Sequence, residues 1–152
     1  VGGGLALAIE ADLLIASDDA RFAVPAGRLG LGYPERSLRT LVGLVGPARA
    51  KDLFFSARRF DAAEALRLGL LAEVAPKAEL ETRTRERAAA IAANAPLTLQ
   101  AAKRVIADLG RDPADRDPAA VRAAIRACFH SEDYQEGIRA FLEKRAPRFR
   151  GR

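Results

Sequence analysis

Apolar and polar positions alternate in short bursts over the first half of the chain. Gly2-Gly3-Gly4 leads into the small apolar run Leu5-Ala6-Leu7-Ala8-Ile9, which predicts a short buried helix over Leu5–Ala11. Asp12-Leu13-Leu14-Ile15-Ala16 is an apolar run bounded by polar residues and predicts a strand. Ser17-Asp18-Asp19 then makes a turn, and Arg21-Phe22-Ala23-Val24 a second strand stopped by Pro25. Ala26 to Pro34 carries Gly27, Gly30, Gly32 and Pro34 and predicts a loop held close to something.

The period then lengthens to that of helices. Arg36–Val45 predicts a helix ending near Gly46, and Pro47 suits the first turn of the next, to about Ser56. Asp61-Ala62-Ala63-Glu64 has capping-box spacing, so a helix starts there and ends at Gly69. Leu70–Val74 is a short extended segment. From Pro76 the pattern is helical throughout: Glu79–Asn94, Pro96–Leu109, Ala119–Phe129 and Glu132–Arg145, with Ser131 as an N-cap. Residues 110–118, with two prolines, form a polar hinge between the second and third of these. The division is therefore an α/β part, residues 1–75, and a helical part, residues 76–152.

Composition adds a few exclusions. The 152 residues are 49% hydrophobic and 30% charged, an ordinary globular balance with length enough for a core. No apolar run approaches the roughly 20 residues that span a bilayer. A single cysteine, Cys128, forms no disulfide within the chain, and a single histidine, His130, leaves no zinc-ligand set. A reducing, cytoplasmic setting is expected. The net charge of +5 admits a nucleic-acid surface, but the arginines alternate with Glu and Asp, and the aromatics, 6%, do not interleave with basic residues. A solvated exterior is the better reading, with no metal, nucleic acid or membrane as partner.

The glycine triplet carries the first chemical signal. Glycines at a helix start leave backbone N–H groups uncovered, where the helix dipole favours an anionic oxygen, phosphate or oxyanion. The alternative is close helix–strand packing. Because the chain opens directly on these glycines, it is expected to begin inside a binding site.

Several segments together resemble one family. Gly2-Gly3-Gly4, Asp12-Leu13-Leu14-Ile15-Ala16-Ser17, Ala20-Arg21-Phe22-Ala23-Val24-Pro25 and Leu29-Gly30-Leu31 look like the enoyl-CoA hydratase/isomerase (crotonase) superfamily. So do Arg59-Phe60-Asp61-Ala62-Ala63-Glu64-Ala65 with Gly69-Leu70, Ser131-Glu132-Asp133-Tyr134-Gln135-Glu136-Gly137, and Ala140-Phe141-Leu142-Glu143-Lys144-Arg145. The resemblance implies the C-terminal part of a crotonase-like α/β spiral, followed by an all-α C-terminal oligomerisation region. Against the family, roughly the first hundred residues are absent.

The resemblance also implies a chemistry. A CoA thioester binds with its carbonyl in an oxyanion hole that stabilises an enolate, and no cofactor is covalently held. Gly3 matches the second backbone donor of that hole; the first lies outside this sequence. The family's two hydratase glutamates fall, counting from Gly3 without gaps, at Ala6 and Ala26, so two-glutamate hydration is not expected. Glu10 and Glu35 are the nearest carboxylates and read as surface charges. Leu29-Gly30-Leu31-Gly32-Tyr33, Lys51-Asp52-Leu53-Phe54-Phe55 and Ser131–Gly137 look like the methylmalonyl-CoA decarboxylase branch, where a tyrosine at the position of Tyr33 lines the site. Decarboxylation needs the oxyanion hole and no carboxylate base; the resemblance equally admits a divergent hydratase or isomerase, a lyase or isomerase that uses another group.

Phe141 and Lys144, three apart on one helix face, fall where the family meets the adenine and phosphate end of CoA. The resemblance implies a homotrimer, or a dimer of trimers, for the whole protein, with residues 1–152 inactive alone. The alternative is a catalytically inactive CoA-binding or assembly module.

Overall fold

Glycine and proline set the corners of the first unit. The computed structural model describes all of residues 1–152 and divides them into two compact units, Val1–Thr84 and Arg85–Arg152. In the first unit, helix α1 (Gly3–Ala8) begins on the glycines themselves. Gly2 caps it with φ 57° and ψ −125°, a conformation that a side chain disfavours. The helix is amphipathic rather than buried all round: Leu5 is in the core, whereas Leu7 is 77% exposed. Ile9, just past its end, is buried again.

The strands are shorter than the apolar runs. β1 (Ile15–Ser17) pairs in parallel with β4 (Glu73–Ala75), in the register Ile15 to Glu73, Ala16 to Val74 and Ser17 to Ala75. Leu14 extends this pairing by one bond, its carbonyl accepting the Ala72 N–H at 2.8 Å, while Asp12 and Leu13 lie outside the strand. β2 (Arg21–Ala23) pairs antiparallel with β3 (Arg59–Asp61), bringing Phe22 opposite Phe60 with ring centroids 5.6 Å apart. The sequence pattern missed β3. Three residues of Arg-Phe-Asp hold too little alternation to stand out.

Between these strands, the Gly-rich segment contains one short helix, α2 (Ala26–Leu29), where a loop was expected. Gly30 ends it in the left-handed region at φ 65°, and Leu31 N–H returns to the Ala26 carbonyl at 3.1 Å. Helices α3 (Glu35–Val45) and α4 (Pro47–Ser56) meet at one residue, Gly46, φ 77° and ψ 161°, with Pro47 as the first residue of α4. That corner folds the apolar face of α3 onto that of α4. Helix α5 (Ala62–Leu68) is capped by the Asp61 carboxylate, which accepts the Glu64 N–H at 2.8 Å. The capping box is only half formed. Glu64 does not return to the backbone but takes both arms of Arg58, at 2.6 and 2.9 Å. Past Gly69, Leu70 N–H bonds to the Ala65 carbonyl, which turns Leu70 and Leu71 into the core and delays the extended segment to Glu73.

The core of this unit gathers Leu5 and Ile9, Val24, Leu41 and Val45 of α3, Ala50 and Leu53 of α4, Phe60, Ala62 and Ala65 of α5, and Leu70 and Leu71. Leu53, 1% exposed, is its most enclosed large side chain.

The second unit takes up most of α6 (Leu80–Ala92), then α7 (Pro96–Leu109), α8 (Pro118–Phe129) and α9 (Glu132–Leu142). α7 and α8 pack along each other, with Ala101 buried between them. The connecting residues 110–117 include a 3-10 turn at Pro113–Asp115 and are tied down: Asp117 N–H bonds to Asp108 Oδ1 at 2.8 Å, and Asp117 in turn caps α8 through the Ala120 N–H. Ser131 caps α9 as expected, accepting the Tyr134 N–H at 3.0 Å.

The candidate active site and its family

Two of the expected site residues, Gly3 and Tyr33, lie in the first unit. Gly3 is the first helical residue of α1, so its N–H has no carbonyl one turn back, and no other group of the chain accepts it. A Cβ built on Gly3 or Gly4 would meet nothing within 4 Å beyond the helix's own backbone. The preceding Gly2 is anchored: its N–H bonds to the Ala23 carbonyl at 2.9 Å, tying α1 to the end of β2. Its carbonyl accepts the Ala6 N–H at 3.0 Å.

Tyr33 reaches the same corner from the Gly-rich segment. Its hydroxyl lies 3.5 Å from the Gly2 carbonyl oxygen, and its ring stands edge-on to Phe54 at 5.2 Å. The ring packs against the core, and burial pushes its phenol above the ordinary value, so it is a neutral O–H near neutral pH.

The two alanines at the family's acid positions are unremarkable in packing. Ala6 is half-buried on α1, and Ala26 is buried at the start of α2. The neighbouring carboxylates are engaged elsewhere. Glu10 accepts from Thr40 Oγ1 at 3.0 Å and pairs with Arg36 at 3.2 Å, while Glu35 pairs with Arg39 at 2.8 Å. Both are drawn to α3. Nor is any group of three His, Cys, Asp or Glu side chains gathered as a metal site.

Phe141 and Lys144 belong to the second unit. Phe141 is 82% exposed on the last turn of α9. Lys144 is not on that helix, which ends at Leu142 rather than Arg145. It occupies the left-handed turn beyond, at φ 54°. The Lys144 N–H returns to the Phe141 carbonyl at 3.2 Å and the Arg145 N–H to Ala140 at 3.0 Å, a helix end that glycine usually makes. The shared-face expectation for the pair is therefore corrected: residue 144 leaves the helical period before its side chain is placed.

The family model for enoyl-CoA hydratase/isomerase matches residues 1–152, the whole chain. The chain belongs to this family. Enzymes of the family act on CoA thioesters without a bound cofactor. The chain is 34% identical over 155 residues to carnitinyl-CoA dehydratases of Salmonella typhi and Escherichia coli, covering 99% of itself and 59% of each relative. It thus spans about 59% of the length of these relatives. Among solved structures, an enoyl-CoA hydratase/isomerase family protein from Hyphomonas neptunium superposes with a TM-score of 0.91 at 39% identity, over 99% of this chain and 57% of the other. An enoyl-CoA hydratase/carnitine racemase from Magnetospirillum magneticum gives 0.91 at 30% identity, over 99% and 56%. The crotonase-like α/β fold expected from the sequence is thereby established.

Proposed function

We propose that the protein containing this chain processes an acyl-CoA through an enolate held in an oxyanion hole, with the Gly3 N–H as one donor. The observation that carries this is the start of α1: an N–H with no acceptor in the chain, on an exposed glycine whose backbone is anchored by the Gly2–Ala23 bond. Such a fixed donor stabilises negative charge where it develops on the thioester oxygen. Tyr33 is the second group proposed for the site, as a neutral hydroxyl beside the Gly2 carbonyl.

The reaction this corner suits is one that needs no carboxylate base. With alanine at 6 and 26, two-glutamate hydration has no acid or base on these residues. Loss of carbon dioxide from a carboxyacyl-CoA leaves an enolate directly, and a carboxylate here would repel that substrate. Decarboxylase-like chemistry is therefore our preferred subtype. The relatives named carnitinyl-CoA dehydratase suggest an elimination instead, which passes through similar charge but requires a base from elsewhere in the protein. A second reading, an inactive CoA-binding or assembly module, rests on the same two alanines.

In this proposal Phe141 and Lys144 serve the adenine and phosphate end of CoA. The helical region carries assembly into a trimer or a dimer of trimers. Several large apolar side chains of that region stay exposed, among them Ile106, Phe129 and Leu142. No helix is long and apolar enough to cross a membrane.

The test is turnover of enoyl-, malonyl- and methylmalonyl-CoA by the full-length protein and by Gly3→Pro. Proline fits the first position of a helix, so this change removes the donor while sparing α1. Release of carbon dioxide by the parent and its loss in Gly3→Pro is the expected result. Turnover unaffected by Gly3→Pro overturns the oxyanion assignment, and no turnover of any substrate favours the inactive module.

A further inference from the structure

The end of the chain is strapped along α9 by two carboxylates of that helix. Asp133, 4% exposed, accepts the backbone N–H groups of Arg150 at 2.6 Å and Gly151 at 2.7 Å. One turn on, Glu136 accepts the Arg148 N–H at 2.9 Å and both arms of Arg145, at 2.6 and 3.0 Å. The Phe149 ring lies over Gly137, where a Cβ would touch it at 3.7 Å. Residues 145–151 are thus fixed at both ends of their run, and the turn they close is the one that contains Lys144.

That turn is strained, and its charges are sorted. A non-glycine residue at φ 54° is held there only when its surroundings over-determine it. The two acids flanking the turn, Glu136 and Glu143, are both taken by Arg145, Glu143 through Nε at 2.6 Å. The Lys144 ammonium has no partner in the chain. Of the two adjacent cations, Arg145 is engaged by the strap and Lys144 is not.

We infer that Asp133 and Glu136 are positioning residues that act through the 145–151 strap to lock the Lys144 turn, so that its ammonium is presented to the phosphates of CoA. This rests on the CoA role proposed for Lys144 and extends it to side chains that touch no ligand. A preorganised cation binds a phosphate without the cost of ordering a free loop. A released strap returns Lys144 to a mobile tail.

The experiment measures CoA binding to the full-length protein by calorimetry, alongside thermal unfolding. Lys144→Ala and Glu136→Gln are each expected to weaken CoA about tenfold, the size of one charge-assisted contact. The double variant is expected to bind no worse than Lys144→Ala alone, since the strap acts only through that residue. Asp133→Asn follows Glu136→Gln, and Glu136→Asp, which keeps the charge, recovers most of the affinity. Arg148→Pro removes one strap bond without altering α9, and it provides the same test if Glu136→Gln does not fold. Wild-type affinity in the strap variants, with Lys144→Ala still impaired, overturns the positioning role and leaves the role of Lys144 standing. Penalties that add in the double variant overturn it as well. Wild-type affinity in Lys144→Ala overturns the CoA role itself, and the inference falls with it.

Discussion

The Tyr33 hydroxyl lies 3.5 Å from the carbonyl oxygen of Gly2, thirty-one positions earlier in the chain. This is at the outer limit of a hydrogen bond, so the hydroxyl is only loosely committed. It stands beside the residue that fixes the start of α1, where the proposed site would place the ligand oxygen. Tyr33→Phe keeps the edge-on contact with Phe54 and removes only the hydroxyl. Turnover of the preferred acyl-CoA by the full-length protein is expected to fall about tenfold or more in kcat with little change in KM, the signature of a contact made in the transition state. An unchanged kcat assigns Tyr33 to packing alone.

Gly2 offers a separate check on the same corner. At φ 57° and ψ −125° a side chain is strained whatever the space around it, and here the space is adequate, with Pro25 3.9 Å from a built Cβ. Gly2→Ala is therefore expected to cost about 1–3 kcal/mol through the backbone alone. Chemical denaturation of the full-length protein measures this. Gly3→Ala, in open space with helical geometry, is expected to be near neutral.

The chain's legibility varied with the distance over which each feature is encoded. α4, α7 and the capped start of α9 were visible because proline, glycine and serine mark their ends locally. The family was visible in motif order. β3 was not, since three residues carry no period, and it exists because Phe60 has Phe22 to pair with. The strap was hidden for a different reason. Asp133 looked like the first turn of a capped helix, and its real partners lie 17 and 18 residues on. Neither spacing nor hydropathy marks a carboxylate that binds a distant backbone. Likewise Glu64 completed a capping-box pattern on paper, yet the Arg58 guanidinium, a stronger donor than an amide N–H, claimed it.

Packing in the first unit predicts its own weak point. Leu53 is 1% exposed in a core assembled from four helices and two short sheets. With ladders of three pairs each, the strands contribute little, and side-chain burial carries the unit. Leu53→Ala is expected to destabilise by about 2–5 kcal/mol, the range for a cavity at a well-packed leucine. Exposed Phe55, two residues on, serves as the control: Phe55→Ala is expected to change the stability of this chain by less than about 0.5 kcal/mol.

Glu136 gives a pH dependence whose sign follows from its partners. The side-chain bonds from Arg145, and then the Arg148 N–H, hold its carboxyl at about 2, well below the ordinary 4.5. A carboxylate with a depressed value in the folded state stabilises that state fully above its unfolded value. The contribution fades as pH falls from 4.5 towards 2, because the unfolded chain takes up the proton first. The strap is therefore expected to be intact at neutral pH and to loosen only in acid. Carbon-13 NMR of the Glu136 carboxyl in the full-length protein is expected to show a midpoint near 2. The Arg148 amide is expected to lose its downfield shift over the same range, because it donates to the titrating oxygen. High salt changes this little, since a two-armed guanidinium contact at 2.6 and 3.0 Å is far inside the screening length. A midpoint near 4.5 would show that Arg145 does not hold this carboxylate in solution.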